Sequence, residues 1–333
     1  MRPILGITMG DAAGIGPELI LKVFRRKDMF DFCSPVIIGS WDTMEFYQDR
    51  LKMAVPQRRI TTLQDAAFEP GVLDVLDLGI VDVANLKVGV VDPNPGKAAV
   101  IYTQEAGRMA LKDEIGAIVS APLNKESMRK AGYPFEGATQ ILGELAGSKR
   151  YGMIALLGSM RVMQLTTHCS LQDACRAVTK EKVLAMLELA HATLQTFGIP
   201  SPRIGVAGLN PHSGENGLFG REELDGSIPA IREAVARGID AVGPVPADVV
   251  FLKARDGQYD LVLAMYHDQA GMAVKLLGFG EVVTLLAGLP FIRTSVGHGT
   301  AFDIAGKGIA NEQNFTLAIQ RAAEFAEMRK GHK

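Results

Sequence analysis

The chain has 333 residues, of which 47% are hydrophobic and 22% charged, and its formal net charge is −2. That length holds one large or two medium domains with a substantial core; the composition excludes disorder, and the lack of a basic run argues against nucleic acid as the main partner. The amino-terminal stretch lacks the apolar core of a signal peptide, and no apolar run approaches the ~18 residues of a spanning helix, so a soluble, cytoplasmic protein with no membrane partner is expected.

Residues 2–9 read as a first strand. Gly10-Asp11-Ala12-Ala13-Gly14-Ile15-Gly16-Pro17-Glu18 follows as a glycine-rich turn, with Pro17 placed to open a helix. A glycine-rich turn between strand and helix suggests a dinucleotide site, but Gly14 and Gly16 fit only two positions of GxGxxG and Leu19 stands at the third. That fingerprint is rejected in favour of a tight turn packed under the sheet. A strand at 36–39 and a helix at 41–51 come next. Residues 55–95 offer short β-like pieces, among them 73–78, and a turn at Asp92–Gly96. A helix is expected over 97–113, a strand over 117–122, a helix opened by Asn124-Lys125-Glu126, and another helix over 138–147.

Two strands, near 151–157 and 161–167, flank a Gly158-Ser159 hairpin turn. Ser170 suits a helix cap, and a long helix spans about 181–197. The strand 203–209 leads into Asn210-Pro211-His212-Ser213-Gly214-Glu215-Asn216-Gly217, and a helix follows over 221–237. After Pro246-Ala247-Asp248 and a short helix, a buried strand runs from Asp260 into Ala264-Met265-Tyr266-His267-Asp268-Gln269, then a helix through Lys275. A strand at 281–286, the stretch 292–306 and an amphipathic helix over about 311–329 complete the order. Strands alternating with helices predict an α/β protein with a mostly parallel sheet and helices on both faces. The 151–167 hairpin adds antiparallel character. The chain reads as a single unit over 1–333 made of two interwoven subdomains without a clean boundary, and its active-site cleft is expected at the carboxyl ends of the strands.

His168, His212 and His267, three of six histidines, all stand at or just past predicted strand ends. Neutral imidazole ligates zinc and other divalent metals, and three protein ligands leave positions open for substrate. A lone histidine in such a place is more often hydrogen-bonded structure, so both readings stay open. Asp248 and Asp268 are candidate acid/base groups or orienters of a histidine, with a helix cap as the alternative for Asp248. Lys275 and Arg293 are candidate anion binders, though each could be a solvated surface residue. The stretch Gly297-His298-Gly299-Thr300-Ala301-Phe302-Asp303-Ile304-Ala305-Gly306 is too glycine-rich and polar for a core and could cover a cofactor. Cys33, Cys169 and Cys175 have no disulfide-framework or zinc-thiolate spacing. A small buried side chain is the preferred reading of Cys169, with reactivity beside His168 as the alternative.

Seven stretches together resemble the 4-hydroxythreonine-4-phosphate dehydrogenase (PdxA) family across nearly the whole chain. They are GITMGDAAGIGPE at 6–18, SAPLNKE at 120–126, TTH at 166–168, GLNPHSGENGLFGREE at 208–223, PAD at 246–248, AMYHDQ at 264–269 and GLPFIRTSVGHGTAFDIAG at 288–306. The last also resembles the adenosine-binding loop of isopropylmalate dehydrogenases, which share this fold superfamily. The resemblance implies an isopropylmalate-dehydrogenase-like fold and a homodimer with its active site at the subunit interface. It implies one divalent metal per subunit (Zn, Mg, Mn or Co) on His168, His212 and His267, with ligands shared between subunits. It further implies substrate binding by Thr139, Lys275, Arg293 and the position of Thr284, and NAD or NADP held by Gly297, His298, Gly299, Thr300, Ala301 and Asp303. The implied reaction oxidises a secondary alcohol of a small anionic substrate, after which the β-keto acid loses CO2. Asp248, Asp268 and Lys275 are the candidates for moving its protons.

Pyridoxine-pathway members of the family have His-Thr-Glu where this chain has Ala138-Thr139-Gln140, and asparagine where it has Thr284. The SAPLNKE, NPHSGENGLFG and HGTAFDIAG stretches are more similar to a branch acting on 4-phospho-D-threonate or 4-phospho-D-erythronate. Ser-Val-Gly-His-Gly and the missing histidine at 138 also resemble terephthalate dihydrodiol dehydrogenases, whereas Arg293 favours an anionic sugar acid. Two other classes compete: a metal-dependent hydrolase or lyase without nicotinamide, and a catalytically idle binding protein.

Overall fold

A computed structural model describes residues 2–330. The described residues carry twelve strands. The first are β1 (Ile4–Thr8), β2 (Ser34–Gly39), β3 (Gln57–Ile60), β4 (Leu73–Asp77) and β5 (Ala117–Ser120). The chain continues through β6 (Gly152–Leu157), β7 (Met160–Gln164), β8 (Ile204–Ala207), β9 (Ala241–Val245), β10 (Leu261–Ala264) and β11 (Val283–Ala287), then β12 (Ile292–Val296). Two compact units result, one from residues 2–149 and 289–330, the other from 150–288.

In the first unit the strand order is β3-β4-β2-β1-β5-β12, and every pairing is parallel. The central strands are buried along nearly their whole length, as apolar runs of a sheet covered on both faces must be. Helices Pro93–Leu111 and Gln313–Lys330 both pack on β1 and β5; the first also carries helices Lys125–Lys130 and Ala138–Leu145, while the second adjoins Gly16–Arg25. In the second unit the order is β11-β6-β7-β10-β8-β9. Strand β6 runs antiparallel to both neighbours, and β7, β10, β8 and β9 run parallel. Helices Ala247–Arg255 and His267–Gly278 bury Val250, Phe251, Ala270 and Val274 against Val162, Ala207 and Val262 of these strands. The mostly parallel α/β architecture read from the alternating pattern is therefore the observed one. No helix among the described residues is long and apolar enough to cross a membrane.

Several local expectations need correction. The stretch Asp92–Gly96 is not a free turn but the start of a helix from Pro93: Asp92 accepts from the Asn94 N–H at 2.8 Å and Pro93 takes the first position, where its missing N–H costs nothing. Strands β3 and β9 went unpredicted. β3 is Gln-Arg-Arg-Ile, an edge strand whose arginines pair outward with Glu69, Asp74 and Asp77, so its composition reads as polar. β9 carries Gly243 and Pro244, which suit only an edge. Within the span 221–237, expected to be one helix, Glu223–Ser227 form a π-helical turn and the α-helix begins only at Ile228.

Candidate active site

The three histidine segments leave the carboxyl ends of three adjacent strands. His168 follows β7, His267 follows β10 and His212 follows β8, and in the sheet these strands lie in the order β7-β10-β8. Parallel pairing sends all three chains off the same sheet edge, so segments far apart in sequence emerge side by side. Backbone and side-chain bonds then tie the exits together. The Leu165 N–H donates to the Ala264 carbonyl at 2.8 Å, and the Thr166 hydroxyl donates to the Met265 carbonyl at 2.9 Å. Gln269, only 6% exposed, accepts from the Met265 N–H and donates to the Gly208 carbonyl. Thr166 and Gln269 lie inside motifs legible in the sequence, but their bridging between strands was not.

His168 and His267 come together, with ring centroids 5.6 Å apart. Two imidazoles bound to one divalent ion through nitrogens about 2.1 Å away have centroids roughly 5 Å apart, so this pair fits a shared ion. The Nδ1 of His267 bonds Asp268 Oδ1 at 2.7 Å, which leaves Nε2 for a ligand. His267 opens a helix, with Tyr266 at the cap, and does not end the strand as expected. The rings of both histidines line a hollow of about 380 Å³ with Cys169, Leu171, Tyr266 and Asp268. Cys169 is exposed, against the buried reading; Cys33 is the buried cysteine, and burial raises its thiol to about 12.

His212 stands apart. It faces the Phe219 ring at 6.2 Å, and its Nδ1 lies 3.5 Å from Glu215 Oε2. Among the described residues no three His, Cys, Asp or Glu side chains are gathered to hold a metal by themselves. The His212 loop has positive φ over six consecutive residues, His212 to Gly217, with φ between 43° and 95°. Four are not glycine, and each such conformation costs of order 1–3 kcal/mol. The carboxylate of Glu223 accepts from the N–H groups of Leu209 (2.9 Å) and Asn210 (2.7 Å) and from the Asn210 side-chain amide (2.9 Å). Bonds to a charged acceptor contribute about 1.5–3 kcal/mol each, enough to offset much of that strain.

Asp248 is exposed in the first turn of its helix and makes no cap bond, so the capping alternative falls. Lys275 is exposed on the helix of His267, two turns from Asp268 and on its face. Thr284 is half-buried on β11.

The first unit holds the remaining candidates. Thr139 is half-buried in the first turn of its helix. Arg293 lies on β12, 7% exposed, and donates through Nε to the Ser120 hydroxyl at 3.0 Å. Among the described residues no carboxylate pairs with it; burial pushes its pKa down to about 10, so it stays charged at neutral pH. The glycine-rich loop is pinned from below. The Ile15 N–H donates to the Thr300 carbonyl at 3.1 Å, Asn314 accepts from the Gly297 N–H, and Arg50 donates to the Gly306 carbonyl. Buried Glu18 accepts from the Gly308 and Ala310 N–H groups. A Cβ at Gly14 would lie 2.9 Å from Thr300 Cβ, and one at Gly16 only 2.2 Å from the Met9 carbonyl. The turn at 10–17 is thus a tight turn, as preferred; Gly14 admits the loop, and Gly16 packs on the end of β1. Gly297, His298, Gly299 and Asp303 remain exposed, and a Cβ on Gly299 would meet nothing within 4 Å. Such open, glycine-lined backbone fits the close approach of a nucleotide.

Comparison with known proteins agrees with the motifs. The family model described as "Pyridoxal phosphate biosynthetic protein PdxA" matches residues 31–322. D-threonate 4-phosphate dehydrogenase of Cupriavidus necator is 44% identical over 328 residues, covering 98% of each chain. The enzyme of the same name from Pectobacterium atrosepticum is 41% identical over 327 residues, 98% of this chain and 100% of that one. The crystal structure of a 4-hydroxythreonine-4-phosphate dehydrogenase from Burkholderia phymatum superposes with a TM-score of 0.87 at 41% identity, covering 98% of both chains. The chain belongs to the PdxA family.

Proposed function

We propose that the protein is a metal-dependent, NAD(P)-linked dehydrogenase. It would oxidise a secondary alcohol in a small phosphorylated hydroxy acid, best matched by 4-phospho-D-threonate or 4-phospho-D-erythronate, and the β-keto acid formed would lose CO2. Relatives named D-threonate 4-phosphate dehydrogenase support the substrate class. The observation that carries the site is the pairing of His168 with His267 at adjacent strand ends, at a spacing that suits one shared ion.

When bound, a divalent metal (zinc, magnesium, manganese or cobalt) would supply Lewis acidity at the substrate hydroxyl and carboxylate, and NAD(P) would supply the oxidant. His168, His212 and His267 would hold the metal. Asp268 holds the His267 ring through Nδ1 and is the nearest carboxylate to that edge of the hollow. Asp248, Asp268 and Lys275 are the groups assigned to proton movement. Arg293 presents a charged guanidinium without a carboxylate partner, the state that favours a bidentate grip on phosphate. Thr139, Lys275 and Thr284 would complete the substrate contacts, and residues 297–301 with Asp303 would hold the dinucleotide.

The active form would be a homodimer whose subunits share the metal ligands. Two observations support this: His212 is not gathered with the other two histidines, and the His267 helix exposes Met272 (58%), Leu276 (86%), Leu277 (48%) and the adjoining Phe279 (87%). Contiguous apolar exposure of this kind marks a contact surface. A second reading, 4-hydroxythreonine 4-phosphate as substrate, has the name of the Burkholderia structure in its favour. Against it, Ala138 is buried and Gln140 bonds within its own segment to the Glu136 N–H and to Glu144. The redox-neutral hydrolase or lyase reading has no such support.

NAD(P)H formation by metal-loaded protein tests the proposal. The panel is 4-phospho-D-threonate, 4-phospho-D-erythronate, 4-phosphohydroxy-L-threonine and a cis-dihydrodiol carboxylate. Turnover of a phosphorylated acid with matching CO2 release is expected. Turnover of the dihydrodiol alone would move the protein to the other branch.

A further inference from the structure

Asn210–Gly217 carries six consecutive positive-φ residues, His212 to Gly217, four of them not glycine. An L side chain avoids this region because its Cβ crowds the carbonyl oxygen. Such a run persists only when something outside it holds it. The outside group is Glu223, 1% exposed, which projects from the π-helical turn at Glu223–Ser227. Its Oε1 accepts both the Leu209 and the Asn210 N–H, and its Oε2 accepts the Asn210 side-chain amide. A Cβ on Gly214 would lie 2.7 Å from Oε2, so the carboxylate rests against the middle of the run. No cation pairs with Glu223 among the described residues. A buried charge without a cation is unfavourable unless its hydrogen bonds are complete, and here the donors all come from the loop that bears His212.

We propose that Glu223 is the positioning residue of His212. Its carboxylate sets the left-handed turn that presents the imidazole, and it touches neither metal nor substrate. The proposal rests on the reading of His212 as a metal ligand. Loss of the carboxylate therefore weakens metal binding through His212 while leaving the sheet and the other two histidines in place.

Glu223→Gln is the test variant. It keeps the shape and one acceptor oxygen, but its new amide opposes that of Asn210. Cobalt(II) titration followed by visible absorption should show affinity lowered about 10–100-fold, the range for groups that orient a metal ligand. Amide exchange of 209–217 in the metal-free variant should rise, with exchange in β7, β10 and β8 unchanged. Asn210→Ala, which removes only side-chain bonds to Glu222 and Glu223, should give a smaller loss of the same kind. In a His212→Ala background, Glu223→Gln should cause no further loss. Wild-type affinity in Glu223→Gln overturns the proposal alone, as does an equal loss with and without His212. Wild-type protein that takes up no cobalt overturns the metal reading and the proposal with it.

Discussion

The histidine loops of the second unit and the glycine-rich loop of the first are both anchored, but by different means. The histidine loops stand on buried polar side chains: Gln269 and Thr166 cross-link strand exits, and Glu223 restrains a left-handed turn. The glycine loop stands on close backbone approach, with Thr300 seated over Gly14 and bonded to the Ile15 N–H. The first kind of anchor breaks when a polar group is deleted. The second breaks when a methyl group is added.

The largest expected effect lies on the histidine side. His168→Ala should lower kcat by more than the roughly 100-fold that outer-shell changes cost, with the dinucleotide Kd unchanged; steady-state kinetics and fluorescence titration of NAD(P)H check the split. Arg293→Met comes next. Removing a desolvated charge-assisted contact should weaken substrate binding by about 2–5 kcal/mol. Because the guanidinium is buried without a carboxylate, the same change should raise ligand-free stability by about 1–3 kcal/mol, read by urea unfolding. A variant that loses both binding and stability would mean that the bond from Arg293 to Ser120 outweighs the cost of burying the charge.

Gly14→Ala probes the other anchor. Its methyl group meets Thr300, and overpacking of this kind costs about 1–3 kcal/mol. Dinucleotide Kd should rise while cobalt(II) affinity stays constant, the reverse of the His168→Ala pattern. The effect confined to a single group's titration is on pH dependence. Asp11, fully buried beside this turn, keeps Oδ1 on the Ala13 N–H and leaves Oδ2 unpartnered. Burial, outweighing that bond, raises its carboxyl from 3.8 to about 6. The folded state then holds the proton more tightly than the unfolded state. Stability should fall as pH rises from about 4 to 6 and level off above, by no more than roughly 3 kcal/mol for a shift of this size. Asp11→Asn should flatten that slope in urea unfolding between pH 4 and 7 and be the more stable form at pH 7.

Much of this architecture is legible in the sequence. The helix at 41–51, the Gly158-Ser159 hairpin and the Ser170 cap carry local signals that tertiary packing did not override. The placing of three histidines beyond strand ends was also readable, because apolar runs ending in polar residues mark the carboxyl edge of a sheet. Register and neighbour order were not. Nothing in the sequence says that β10 lies between β7 and β8, the order that brings all three histidine segments to neighbouring strand ends; nor does it show the left-handed run after β8 that leaves His212 beside Phe219 while His168 meets His267. The positioning groups were hidden for a related reason. Glu223 and Gln269 look like ordinary surface residues until their partners, 13 to 61 positions away, close around them. Pro93 misled because the same residue that opens a helix also marks a turn.

The central claim is that His168, His212 and His267 hold one catalytic metal. Anomalous diffraction at the zinc edge, from crystals grown with zinc and the phosphorylated acid, tests it most directly. A peak bonded to all three imidazoles at about 2.1 Å is expected. A peak elsewhere, or fully loaded crystals without density at these histidines, would contradict it.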